Sequence, residues 1–191
     1  MSSAPRKSRQ FPETTSERLL QAAASEFNEQ GCGGTDTNKI ARRAGFAPQT
    51  FYRWFQDKVE IFVKTYERWQ REEFSAIGKL LAENASDIRL AQAIVAHHKA
   101  WLVFRRSLRQ LSVENDVVRA ARARARLGQI AYLKTINPNN LGRDDAALAA
   151  ILLQTERLAD ALAEGEFRDM GLNKKAGEEE LAGLIHGLLA R

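Results

Sequence analysis

What this chain of 191 residues lacks narrows its function before any motif is read. It has a single cysteine, Cys32, so no internal disulfide can form, and a lone thiol suits the reducing cytoplasm. Cys32 lies in a Gly-Cys-Gly-Gly stretch and reads as a small loop residue rather than a redox sensor. No apolar run approaches the ~20 residues of a membrane span, and the N-terminus lacks the apolar core of a signal peptide. A cytoplasmic protein with no membrane partner is expected. There is no Gly-rich phosphate loop between strand and helix, no nucleophile elbow, no HExxH and no cysteine–histidine zinc spacing. His97 and His98 are adjacent, so on a helix they face about 100° apart and cannot chelate one metal as an i, i+4 pair would. No metal, cofactor or catalytic site is therefore expected. Asp144-Asp145 and Glu178-Glu179-Glu180 read as helix N-terminal charges that complement the backbone dipole. Period-two alternation and internal repeats are absent too, and the pattern is all-α.

What is present is concentrated in residues 35–58, TDTNKIARRAGFAPQTFYRWFQDK. Asp36 is a good N-cap, since its carboxylate can accept from free backbone N–H groups one turn on. Ile40, Ala41 and Ala44 form an apolar stripe, and Lys39, Arg42 and Arg43 lie largely off it. Gly45 supplies the left-handed residue that ends a helix, and Phe46 plugs the gap to the next. Pro48 suits a first helical turn. From Pro48 to Trp54 there is room for barely two turns, too short to be stable alone, so Phe51 and Phe55 must pack inward. That leaves Gln49, Thr50, Tyr52, Arg53 and Trp54 to point elsewhere. Asp57 and Glu60 read as a capping box that places Lys58 at the start of a further helix. Two short helices around a glycine turn, with polar and aromatic residues left over on the second, are how a helix-turn-helix presents side chains to the DNA major groove.

The stretch resembles the N-terminal domain of the TetR family of bacterial transcriptional regulators, through Phe27, Gly31, Thr35, Ile40, Ala41, Ala44, Gly45, Thr50, Tyr52, Phe55 and Lys58. The likeness covers roughly residues 14–64, about a quarter of the chain. It implies that Thr37, Tyr52 and Lys58 hold phosphates, with Asn38, Gln49, Thr50 and Trp54 facing bases or sugars; Lys39 and Arg53 are candidate contacts from the basic charge of the tip. Core packing against the first helix is the alternative for Tyr52 and Trp54. Two departures stand out. Asp36 replaces the usual second threonine, and a carboxylate would repel a phosphate, so it serves as a cap. Ala47 replaces the usual serine cap, which weakens that helix start by ~1 kcal/mol, and Pro48 offsets part of this.

Net charge is +5, yet little of it falls in the motif. Residues 1–60 hold nine Lys/Arg against seven Asp/Glu; residues 101–135 hold eight against two, and residues 136–191 six against ten. Arg6, Lys7 and Arg9 belong to a basic tail, 1–13, expected to be disordered. Arg105, Arg106, Arg109, Arg119, Arg122, Arg124 and Arg126 make up the basic middle segment. A solvated face is the simplest account of it, with an anionic ligand or an acidic partner surface as alternatives.

Two domains are expected: a three-helix DNA-binding domain over 14–57 and a larger helical ligand-binding and dimerisation domain over 58–191. Helices are predicted over 57–82, 87–109 without interruption, 113–135, 144–164 and 178–189, with Asn137-Pro138-Asn139-Asn140 as the clearest loop. Trp69, Phe74, Ile77, His97, Trp101, Phe104 and Tyr132 are candidates to line a pocket between the middle helices, or to fill ordinary core. Leu148, Ile151, Leu152, Thr155, Leu158, Ala159 and Leu162 form one wide stripe, and Leu181, Leu184, Ile185, Leu188 and Leu189 another. They suit a four-helix interface in a homodimer, or the interior of one subunit. The expected function is a ligand-responsive dimeric repressor bound to a double-stranded, palindromic DNA operator and released by a small-molecule effector. A helical protein-interaction module, or a regulator with no small-molecule ligand, is the alternative.

Overall fold

The computed structural model describes residues 14–189; the basic tail expected over 1–13 lies outside the described residues. Ten α-helices follow one another: α1 (Thr15–Gln30), α2 (Thr37–Arg43), α3 (Pro48–Phe51), α4 (Lys58–Ala82), α5 (Asp87–Ala100), α6 (Leu102–Glu114), α7 (Asp116–Ile136), α8 (Asp145–Glu164), α9 (Glu166–Asp169) and α10 (Lys174–Leu189). No strand occurs among the described residues.

Local chemistry sets most helix ends. Thr14 caps α1 reciprocally: its hydroxyl accepts from the Glu17 N–H at 3.2 Å, and the Glu17 carboxylate accepts from the Thr14 N–H at 2.8 Å. Asp36 and Asp57 accept from the N–H groups of Lys39 and Glu60, each at 2.8 Å. Gly45 sits at φ +79°, in the left-handed region.

Three helix boundaries differ from expectation. The helix predicted over 87–109 is two helices, broken at Trp101 (φ −118°, ψ 30°). No proline or glycine marks the break; the Asn28 amide, from α1, donates to the freed Ala100 carbonyl at 2.8 Å. The next helix starts at Asp116 because Asn115 caps it, accepting from Val117 and Val118 N–H. The last helix begins at Lys174 and runs through Gly177, where a Cβ would fall 2.7 Å from the Phe167 ring. The loop at 137–140 is ordered, since the Asn140 amide donates to the Leu133 and Leu188 carbonyls and ties two helix C-termini together.

Three apolar clusters hold the chain. The largest runs from α1 to α7 without a gap at residues 57–58: Phe27 meets Phe62 edge-on at 5.0 Å, and Phe62 meets Phe104 at 5.0 Å. The helix-turn-helix is therefore seated directly on α4 and α6. A second cluster joins α5, α8 and α10 through Leu90, Ala159, Leu162, Leu181 and Ile185. A third joins α7, α8 and α10 through Ile130, Leu133, Leu148 and Leu188.

Candidate nucleic-acid interface and effector cavity

The second helix of the motif is one turn, shorter than the two turns expected. Ala47 provides no side-chain cap and Pro48 occupies the first turn. After Phe51 the chain continues in hydrogen-bonded turns, with Trp54 N–H on Phe51 O at 2.9 Å and Phe55 N–H on the same carbonyl at 3.0 Å. Phe51 and Phe55 are both buried, 5.7 Å apart, and act as the anchors of this segment. Their burial turns the alternate residues outward: Gln49 and Arg53 are exposed, Tyr52 is 58% and Trp54 50% exposed, and Thr50 is half-buried. Tyr52 and Trp54 are therefore not core residues.

On α2, Asn38 and Lys39 are exposed and Thr37 is half-buried. The Thr37 and Tyr52 hydroxyls lie 2.9 Å apart, so two candidate phosphate contacts from different elements form one polar edge. Hydrogen bonds from backbone N–H groups, first that of Lys39 and then that of Asn38, hold the Asp36 carboxyl below the usual range, consistent with a cap rather than a contact. The Lys39 ammonium donates to the Gly34 carbonyl at 3.0 Å. Arg42 and Arg53 make no ion pair among the described residues, whereas Arg43 is held by Glu26 and Glu29. The Lys58 ammonium donates to the Cys32 carbonyl at 2.7 Å and the Thr35 carbonyl at 3.0 Å, fastening the α1–α2 loop to α4.

The basic middle segment is not a solvated face. Arg105 and Arg122 are buried, and their partners lie on α8. Arg105 grips Asp160 in bidentate fashion at 2.9 and 3.0 Å, reaches Glu156 at 3.1 Å, and lies over the Trp69 ring at 4.6 Å. Arg122 and Arg126 also converge on Glu156, while Arg109 spans Asp160 and Glu164. Only Arg106, Arg119 and Arg124 stay exposed. His98 sits between two acids, with Nδ1 2.9 Å from Asp160 and Nε2 3.2 Å from Glu73. Burial pushes the Glu156 carboxyl up, but the guanidiniums of Arg122, Arg105 and Arg126 outweigh it and hold it at about 2. Burial likewise pulls the His98 imidazolium down, and Asp160 and Glu73 more than reverse this. The excess charges of residues 101–135 and 136–191 are thus two sides of one internal seam.

Beside this seam lies a cavity of about 150 Å³. Of the seven pocket candidates, Trp69, Phe74, Ile77 and Tyr132 line it. Phe104 belongs to the N-terminal core, Trp101 packs edge-on against Phe104, and His97 stacks on Trp69 outside the cavity. His98, Gln70 and Gln129 line it instead; polar residues at helical spacing carry no sequence mark of facing inward.

The two apolar stripes point mostly inward. Leu148, Thr155, Ala159, Leu162, Leu181, Ile185 and Leu188 are buried within the chain, and Ile151, Leu152, Leu158, Leu184 and Leu189 are half-buried. Most of both stripes is thus taken up by packing within the chain. The surfaces that α8 and α10 turn outward are different and carry Ala147, Ala150, Leu153, Gly183 and Gly187, all exposed.

Residues 19–65 match the family described as bacterial regulatory proteins, tetR family. The HTH-type transcriptional regulator YdgC of Bacillus subtilis is 36% identical over 67 residues, which cover 35% of this chain and 34% of that protein. The aligned stretch thus spans about a third of the curated relatives' length. Among solved structures, a transcriptional regulator from Rhodococcus sp. Rha1 matches with a TM-score of 0.64 at 17% identity, over 93% of this chain and 97% of that one. The fatty acid degradation regulator FadR from Bacillus halodurans matches with a TM-score of 0.62 at 16% identity, over 95% and 96%. At such identities these two likenesses carry the fold alone.

Proposed function

We propose that this protein, whose residues 19–65 match the tetR family of bacterial regulatory proteins, is a DNA-binding transcriptional regulator, a dimeric repressor released from its operator by a small molecule. The observation that carries the proposal is the outward row Gln49, Tyr52, Arg53 and Trp54 on a segment anchored by buried Phe51 and Phe55. Exposed aromatics in the turns that follow a one-turn helix are accounted for if they meet a partner, and a major groove offers both phosphates and base edges. Gln49 has the geometry for a bidentate contact to adenine, and Thr50 for a base edge or a thymine methyl. Thr37, Tyr52 and the exposed cations Lys39 and Arg53 then set register on the backbone, with Asn38 beside them.

Dimerisation in this reading uses the outward surfaces of α8 and α10. Ala147, Ala150, Gly183 and Gly187 allow close helix approach around Leu153, and two helices from each subunit close a four-helix bundle about a two-fold axis. Two recognition segments then lie about one DNA turn apart (~34–36 Å) or a multiple of it. The effector binds in the cavity between α4, α5, α7, α8 and α10. α6 connects the two ends, since Phe104 is in the core under the helix-turn-helix and the neighbouring Arg105 lines the cavity. An effector acts only through differential affinity for the two dimer arrangements, so effector and operator must weaken each other equally.

Gel retardation with the DNA upstream of the protein's own gene and of its neighbours tests this. Retardation that falls steeply with salt is expected. If none of these fragments is retarded, a helical protein-interaction module becomes the better account.

A further inference from the structure

The cavity sorts its polar groups into two sets. Every charged side chain on its wall already faces an opposite charge. Arg105 is held by Asp160 and Glu156, Arg126 by Glu156 at 2.7 Å, and His98 by Asp160 and Glu73. Several neutral polar groups, by contrast, have neither an ion pair nor a hydrogen bond among the described residues, the buried Trp69 Nε1 among them. Gln70, on α4, is only 9% exposed, and its carboxamide makes no hydrogen bond among the described residues. Gln129, on α7, lines the same cavity and makes none among them either. The Tyr66 hydroxyl, one turn before Gln70 on α4, is in the same position. Thr155 is not in this set, because its hydroxyl donates to the Ile151 carbonyl at 2.9 Å.

These groups have no protein hydrogen-bond partner among the described residues and line the open cavity, and two carboxamides and a phenol offer both donors and acceptors without net charge. A charged head group entering here would compete with an existing pair, either His98 with Glu73 or one in the Glu156–Asp160 seam, and would leave another charge buried and unmatched. The remaining wall is aliphatic and aromatic, including Ile77, Leu90, Ile94 and Ile185, with Phe74 and Tyr132 half-open at the rim, 6.1 Å apart. Its volume of about 150 Å³ matches that of an engineered apolar cavity that holds benzene.

We propose that the effector is a small uncharged amphiphile of about one ring's size, whose carbonyl, amide or hydroxyl group is held by Gln70 and Gln129. The inference rests on the reading of this cavity as the effector site and commits it to neutral ligands, against carboxylates and ammonium compounds of the same size.

Three matched probes separate these classes: benzamide, benzoate and benzylammonium, titrated calorimetrically into the full-length protein at neutral pH. Benzamide should bind at least about tenfold more tightly than either charged probe, a difference of about 1.4 kcal/mol. Gln70→Leu and Gln129→Leu, checked for unchanged helicity, should each weaken benzamide by about tenfold. The wild-type comparison stands even if a variant fails to fold. Equal or tighter binding of benzoate or benzylammonium overturns the charge assignment. In that case loss of the charged probe in Ile94→Phe, which narrows the cavity, leaves the effector-site reading intact. Binding by none of the three overturns both.

Discussion

Glu156→Gln isolates the contribution of the internal charge seam. The substitution keeps the shape of the side chain and removes the one carboxylate on which Arg105, Arg122 and Arg126 converge. In the folded protein that carboxyl titrates at about 2 instead of its ordinary 4.5, which corresponds to about 3 kcal/mol of differential stabilisation. The Glu156 side chain is 22% exposed, so solvent screening trims this to about 2–3 kcal/mol, within reach of the ~3–5 kcal/mol typical of breaking a buried pair. The folded pKa is depressed, so the contribution is fully present above 4.5 and is lost as pH falls toward 2. Urea unfolding of wild type and variant at one protein concentration, at pH 7 and at steps down to pH 3.5, measures it. The gap should be about 2–3 kcal/mol at pH 7 and should narrow below pH 4.5. A gap under about 1 kcal/mol at pH 7, or one that does not change with pH, would refute the assignment of the seam as a stabilising network.

Four further outcomes are expected. Gln49→Ala should relax base preference at one operator position by about 1–3 kcal/mol and leave the others unchanged, read from binding to a panel of single-base variants. Lys58→Met should lower stability by about 1–3 kcal/mol through the orphaned Cys32 and Thr35 carbonyls, while the salt slope of DNA binding stays as in wild type; a reduced slope would return Lys58 to the phosphates. Phe51→Ala, at a fully buried ring, should cost about 3–5 kcal/mol in thermal or urea unfolding. His98 has its imidazolium favoured by Asp160 and Glu73, so its contribution is present below about pH 6.5 and is lost as pH rises through the raised folded value. His98→Gln should remove that slope from the stability–pH profile, and an unchanged profile would place the titration elsewhere.

The helix-turn-helix was legible because its signals are local. Asp36 before Thr37, Gly45 at a left-handed turn and Pro48 at a first turn each act within a few residues, and Phe51 with Phe55 announce an inward face. Tyr52 and Trp54 had two readings in sequence, and only the packing of their neighbours turns them outward. The break at Trp101 was illegible because its partner, Asn28, lies 72 residues away. The same holds for Lys58, whose acceptors are carbonyls in a loop that the sequence does not bring near. In the C-terminal half, helical spacing exposed the stripes but not which neighbour each one meets. Leu181 and Ile185 pack on α5 and α8 of the same chain, as a stripe meant for a second subunit would pack on its partner. The charge asymmetry was visible as segment counts, yet it reads as a seam only once α8 lies beside α6 and α7.

Selection of bound sequences from a random pool of DNA duplexes, with the full-length protein and moderate salt, tests the central claim most directly. The account predicts convergence on an inverted repeat with half-sites about one helical turn apart or a multiple of it; with Gln49→Ala, the same repeat should return with one position in each half-site relaxed. A pool that stays random across repeated rounds, or that converges equally well when Gln49, Tyr52 and Trp54 are all replaced by alanine, would contradict it.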